Sequence, residues 1–449
     1  MSTAMEEASW WPEIGFRDNL YDTWPLTGDQ DARELLVGRE GMWEQVMVHL
    51  KARTAHLTID APNGGGKTSL IQCILGDLED GVANHRAGQL LVPVKEPLSF
   101  GASESVAEFE EKALLRLAST LVQNRQVIRR ASGFPGDHLD ELGKFINAPS
   151  RKGGGLGANV AGFGVSGTVV PSFNQGFGFQ RIGLMDLLQR SLTEAFPADA
   201  SGCLVACIDN VETLGERARV WEFMDAIRDQ LLRLHGVKWI VLGADGILDG
   251  IGYGRLSGVL TPRPKTLERL SPEQAAEVVE RRIQRFRLGT KATVPVSGTA
   301  FQAIYESCGM HLRSALEMSE DFSTEAELKG LLSSDAPGVI VGEGEDRWIR
   351  QDLDPVHIKS FLARQSLYAW DEVDVMGAPA RDLLIDLQTL GSASENELGA
   401  GKDQRIKALQ QLCEEKFVIS VGSNEDRGRI RMELTARGTL AVTGSRLAD

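Results

Sequence analysis

The stretch Ile59-Asp60-Ala61-Pro62-Asn63-Gly64-Gly65-Gly66-Lys67-Thr68-Ser69-Leu70 constrains this chain more than any other. His56-Leu57-Thr58-Ile59 is an apolar run fit for a buried strand. A glycine turn follows, and Gly66-Lys67-Thr68 opens a helix carrying Leu70, Ile71 and Ile74. That order has a chemical reason. Glycines let successive backbone N–H groups turn inward around a phosphate, and the helix N-terminus adds partial positive charge. In the pattern G-x-x-x-x-G-K-[ST] the lysine reaches the β- and γ-phosphates and the hydroxyl binds Mg²⁺. Here those residues are Lys67 and Thr68, and Asn63, Gly64, Gly65, Gly66 and Ser69 complete the cradle. The first position of the pattern is Ala61 rather than glycine.

Further runs read as strands alternating with helices. Gln89–Val94 is apolar, and a helix with Phe109, Ala113, Leu114, Leu117 and Leu121 on one face follows it. Cys203–Ile208 is a strand ending in Asp209, and Lys238–Ala244 is another ending in Asp245. Such alternation predicts an α/β fold, a parallel sheet with helices on both faces. Ligands bind such sheets at the carboxyl ends of the strands, where Asp209 is placed to hold Mg²⁺ through water.

The chain has 449 residues, enough for two or three domains. No apolar run approaches the roughly 18 residues that a membrane span needs. The first residues, Met1–Glu7, lack the basic and apolar regions of a signal peptide. Five scattered cysteines suggest a reducing compartment without a disulfide framework. A cytoplasmic location is therefore expected. The net charge of −15 argues against broad affinity for nucleic acid, although one local basic face stays open.

We expect residues 1–35 to form an N-terminal arm packed on the next domain. Its aromatics, Trp10, Trp11, Phe16, Tyr21 and Trp24, either only pack or place one ring near a bound adenine. Residues 36–265 form the nucleotide-binding core. Within it, 151–180 carries nine glycines interleaved with Val and Phe. This insertion reads as short strands, a projecting hairpin or a mobile loop.

Beyond Pro262 the composition shifts. Ser271-Pro272-Glu273-Gln274 starts a helix with Ser at the N-cap, Pro at N1 and Gln at N3, and residues 266–332 read as a small helical lid. Residues 333–354 look like a linker. The rest, 355–449, reads as a winged helix: helices at Ala380–Leu390, Ser394–Gly399 and Lys402–Phe417, then a hairpin of Phe417–Val421 and Arg429–Leu434.

Together these pieces resemble AAA+ ATPases of the origin-recognition type and their signal-transducing STAND relatives. The residues that carry the resemblance are Val37-Gly38-Arg39-Glu40, the phosphate loop, Asp209, Asp245 and Cys308–Leu316. The resemblance implies that Lys67, Thr68 and Asp209 bind Mg²⁺-ATP. It also implies that Asp245 is the first sensor and that Arg313 reaches the γ-phosphate from the lid. Arg255 or Arg263 would serve as a finger for a neighbour's nucleotide in a homo-oligomer.

Three departures matter. Many members carry Asp-Glu at the second Walker motif, where this chain has Asn210 after Asp209, and Glu212 stands two residues further on as a substitute base. Slow hydrolysis follows, with ATP acting mainly as a conformational ligand. Thr68 and Asp209 are also unusually far apart in sequence. The winged helix is not basic either: residues 380–449 hold ten Lys/Arg and eleven Asp/Glu, net −1. Lys402, Arg405 and Lys407 on the third helix and Arg427, Arg429 and Arg431 on the wing are nevertheless placed for DNA. The alternative is that this module docks a protein partner.

Overall fold

The computed structural model describes residues 9–52, 55–85, 88–101, 104–133, 136–146, 177–197, 202–332, 338–399, 403–422 and 430–448. Most of the glycine-rich segment lies outside them. Only its last residues are described, and they open the helix Phe177–Ala195.

Six strands build the core: β1 (Leu57–Ala61), β2 (Leu90–Pro93), β3 (Leu98–Ser99), β4 (Gly202–Asp209), β5 (Val237–Ala244) and β6 (Lys265–Thr266). They form one sheet in the order β2-β4-β5-β1-β6, with β3 paired to β4, and every pairing is parallel. Parallel strands are buried on both faces and so read as continuous apolar runs. Alternation along β4 shows the two faces. Leu204, Ala206 and Ile208 join one core with Phe109 and Trp239, while Val205 and Cys207 join another with Leu70 and Ile74 of the helix Lys67–Ala83. This is the expected α/β fold, a parallel sheet with the glycine loop following β1. The strand bearing the loop lies between β5 and β6, and β5 separates it from the strand ending in Asp209.

The lid differs from expectation. Its helices Pro272–Phe286, Gly298–Ser307 and Leu312–Leu328 are present, the first with the Ser271/Gln274 capping box. It also contains a sheet. β7 (Lys291–Val294) pairs in parallel with β9 (Trp348–Asp352), and β8 (Val339–Val341) pairs antiparallel with β9. Residues 338–354 are thus not a linker, and the lid is not purely helical. Buried Trp348 fills the same core as Ile283, Phe301 and Tyr305. The N-terminal arm enters that core too, through Trp11, Ile14, Phe16, Leu20 and Tyr21. Its first half packs on the lid, while residues 26–33 lie against the helix Lys67–Ala83 of the core.

The C-terminal part begins with the helix Pro355–Met376, which packs against a last helix, Ala436–Ala448. Between them lie Ala378–Leu390, the short strand β10 (Ser392–Ala393), the helix Asp403–Glu414, and the strands β11 (Val418–Gly422) and β12 (Ile430–Leu434). Strand order β10-β12-β11 with antiparallel pairing makes the winged helix. Where a second helix was expected, Ser394–Gly399 is a turn, closed by the Ser394 N–H and hydroxyl donating to Glu397 and the Glu397 N–H donating back to the Ser394 hydroxyl. Among the described residues no helix is long and apolar enough to cross a membrane.

Candidate nucleotide-binding site

The loop after β1 has the backbone its glycines permit. Gly64 and Gly66 sit at φ 72° and 86°, a region costly for side-chain-bearing residues. Gly64 also leaves room for the lid, because a Cβ there would lie 2.8 Å from the Cβ of Arg313. Lys67 is buried, with Nζ donating to the Ala61 carbonyl at 3.2 Å and the Pro62 carbonyl at 3.5 Å. The Glu212 Oε1 lies 3.9 Å from the same ammonium. The Thr68 hydroxyl donates to Asp209 Oδ2 at 2.7 Å, and Asp209 Oδ1 accepts the Asn210 N–H at 2.8 Å.

Glu212 and Asn210 both line the cleft. Asn210 takes a left-handed conformation, φ 59°, which asparagine tolerates better than most residues. It ends the strand and turns Glu212 back toward Lys67. Burial pushes the Glu212 carboxyl up, opposed by Lys67, and its Oε2 is buried without a hydrogen-bond partner among the described residues. Burial likewise raises Asp245, again opposed by Lys67. Asp245 accepts the Asn63 side-chain amide at 2.9 Å. Arg313 lines the cleft from the lid side. Ser69 also lines the cleft, and its hydroxyl accepts the Leu26 N–H of the arm at 3.2 Å.

Three residues to which the motifs alone gave no role belong to the site. Asp60, inside β1, accepts N–H groups of Gly246 at 3.1 Å and Leu248 at 3.3 Å. It ties the turn after Asp245 to the strand that carries the loop. An acid inside an apolar strand was the available signal. Arg39 is buried and donates to the Gly65 carbonyl at 2.8 Å and the Glu268 carbonyl at 2.7 Å, bridging the loop to the root of the lid. Arg282, on the first lid helix, lines the cleft beside Asp22 and Trp24 of the arm. Of the arm's aromatics, Trp24 alone is largely open, at 80% exposure.

The donor set suits the groups the loop implies. Thr68 and Asp209 offer hard oxygens, as Mg²⁺ requires. The glycine cradle and Lys67 offer N–H groups and a cation to phosphates, and the unpartnered Glu212 oxygen is free to accept from a water.

The other candidate cations are placed differently. Arg255 pairs with Asp225 at 2.7 Å, while Arg263 is exposed. On the winged helix, Arg405 donates to Asp386. Arg431 donates to the Ser392 hydroxyl at 2.9 Å and to the Ser392 carbonyl. Only Lys407 of the described set is exposed. Lys402, Arg427 and Arg429 lie outside the described residues.

No protein-family model matches the chain, and no curated protein does. Among solved structures, the chain is similar to the Aeropyrum pernix Orc1 protein in complex with DNA, at 14% identity and TM-score 0.44 over 97% of this chain and 99% of that one. It is similar to the Walker-type ATPase of Pyrococcus abyssi, at 12% identity and TM-score 0.43 over 94% and 99%. A third likeness is to Cdc6p of Pyrobaculum aerophilum, at 12% identity and TM-score 0.38 over 97% and 98%. By its own topology the chain is an α/β P-loop core with a lid and a C-terminal winged helix.

Proposed function

We propose that the chain is an ATP-binding AAA+ switch that couples nucleotide state to DNA binding and self-assembly through its winged helix. The observation that carries this reading is the convergence of Lys67, Thr68 and Asp209 at the carboxyl ends of β1 and β4. In this reading residues 36–265 bind ATP, the lid with its arm reports the bound state, and 355–449 are the effector. Asn63–Ser69 wrap the phosphates, and Thr68 and Asp209 hold Mg²⁺, whose charge offsets that of the β- and γ-phosphates. Arg313 reaches the γ-phosphate from the lid, Asp245 senses it from the core, and Glu212 orients water. With Asn210 beside Asp209, turnover is slow, and holding ATP matters more than splitting it. In an oligomer Arg263, which is exposed, is the better finger for a neighbour's nucleotide, since Arg255 is paired with Asp225.

Duplex binding measured against salt, with ATP, with ADP and without nucleotide, tests the effector. The expected result is affinity that falls with salt and differs between nucleotide states. A slope near zero in all three states removes DNA from the proposal.

A second reading is a STAND-type scaffold that docks a protein partner. It is favoured by the engagement of Arg405 and Arg431 within the fold, which leaves fewer cations for phosphates. The salt titration separates the two: the scaffold reading requires no duplex binding in any nucleotide state, whereas a nucleotide-dependent mass without DNA is expected of both.

A further inference from the structure

The N-terminal arm is fixed to both sides of the cleft. On the lid side, Tyr21 is buried, with its hydroxyl donating to the Val296 carbonyl at 2.7 Å and accepting the Val296 N–H at 2.8 Å. Arg282, also buried, donates through one nitrogen to the Leu20 carbonyl at 3.0 Å and the Asp22 carbonyl at 2.8 Å. A buried cation is costly unless its donors are used. Arg282 spends two of its hydrogen bonds on the main chain of the arm.

On the core side, the Leu26 N–H donates to the hydroxyl of Ser69, next to Thr68. Two residues on, Gly28 crosses the helix Lys67–Ala83 at Gly76. A Cβ on Gly76 would lie 1.8 Å from the Gly28 carbonyl oxygen, and one on Gly28, at φ 82°, would lie 2.2 Å from the Gln72 carbonyl oxygen. Contact this close is possible only between two glycines. Asp29 then caps the helix Gln30–Glu34 through the Ala32 N–H at 2.7 Å, and Arg33 of that helix pairs with Asp77 and Asp80 of the P-loop helix. Between these two anchors, Asp22–Pro25 line the same cleft as Gly64 and Arg313.

We infer that residues 22–28 are a strap across the mouth of the nucleotide cleft, that Arg282 is its positioning residue, and that nucleotide enters and leaves only when the strap lets go of one anchor. The inference rests on the reading of the cleft as a nucleotide site. A strap tied to both lid and P-loop helix obstructs passage in both directions. Weakening either anchor therefore speeds association and dissociation together, while affinity changes less than either rate.

Stopped-flow kinetics of a fluorescent ADP analogue, labelled on the ribose with N-methylanthraniloyl, test this on the full chain. In Arg282→Gln, both rates should rise about tenfold, as for release of a closing segment. Arg282→Lys, which can still donate to one carbonyl, should restore most of the wild-type behaviour. Gly76→Ala leaves the lid core untouched and should reproduce the Arg282→Gln rates. It also answers the question alone where Arg282→Gln does not fold. The double variant should exchange no faster than the faster single one, since both open the same strap. A rise in dissociation alone overturns the inference, because it makes the arm a wall and not a gate. Unchanged rates in Gly76→Ala, with melting temperature shifted, overturn it too. Absence of any Lys67-dependent binding in the wild type instead refutes the nucleotide reading beneath it.

Discussion

The Glu212 carboxylate stands 3.9 Å from the Lys67 ammonium, and its other oxygen is buried with no partner among the described residues. Such an oxygen costs roughly 1–3 kcal/mol, so the fold tolerates a destabilising group where water would be oriented. Glu212→Gln should keep nucleotide affinity and leave stability unchanged or higher, since burial already disfavours the charged form. Phosphate release should fall on the order of 10²-fold or more if this carboxylate is the base. Turnover equal to wild type would remove Glu212 from the chemistry.

Lys67→Ala removes the buried ammonium that donates to the Ala61 and Pro62 carbonyls and lies near Glu212. Calorimetric titration with ATP should show binding lost. Thr68→Ala should retain weak ATP binding that no longer responds to Mg²⁺, because the Thr68 hydroxyl, which donates to Asp209, is the group the metal would use. ATP affinity unaffected by Lys67→Ala would refute the nucleotide site itself.

The core and the first ring of the site were legible because their signals are local. A strand, a glycine turn and a helix follow each other within Leu57–Ala83, and the strand-ending acids Asp209 and Asp245 needed only a parallel sheet to bring them together. The lid sheet was hidden because β9 reads Trp348-Ile349-Arg350-Gln351-Asp352, with no clean alternation. Arg350 is polar yet half-buried, held by Glu280 at 2.5 Å and Asp352 at 2.7 Å. Partners this distant in sequence cannot be read from a local window. The same holds for Arg39 and Arg282, whose partners are main-chain carbonyls with no sequence signature. The turn at Ser394 has the Ser-x-x-Glu pattern of a helix start and stops there, so the pattern alone overreached.

Trp348 offers a test of that lid sheet. It is buried among the lid helices, and Arg287 lies over its ring at 5.3 Å. Trp348→Ala should destabilise the lid by about 3–5 kcal/mol. Chemical denaturation should then show an early transition in 266–354, separate from the core. A single unchanged transition would mean that β9 contributes little to lid stability.

His311 precedes the helix Leu312–Leu328 and shares a cleft with Ile419 and Val421 of the winged helix. Burial, helped by the nearby Arg269, holds its imidazole down at about 4, against a hydrogen bond to the Leu434 carbonyl. A depressed base favours its neutral form when folded. The stability it contributes is present above the ordinary value of 6.5 and is lost as pH falls toward about 4. His56, also near 4 through burial, adds the same trend, while buried Asp249, pushed up to about 6, opposes it below that pH. The difference between wild type and His311→Gln isolates the effect. That gap in unfolding free energy should narrow from about pH 7 to about pH 4.5. A gap constant over this range would mean that His311 titrates normally.

Arg405 and Lys407 sit two residues apart on the helix Asp403–Glu414 yet should behave oppositely. Arg405 is engaged with Asp386, joining this helix to Ala378–Leu390. Lys407 faces solvent. Arg405→Ala should lower the melting temperature slightly, by the ~0–1 kcal/mol of a partly exposed pair, and change DNA affinity only as far as the helix shifts. Lys407→Ala should leave melting unchanged. If the helix lies on a duplex, it should also weaken binding uniformly across sequences and reduce the salt slope by about one. Two substitutions on one helix thereby separate a cation that holds the fold from one that is free to meet a phosphate. DNA affinity and slope untouched by Lys407→Ala would place the contact elsewhere.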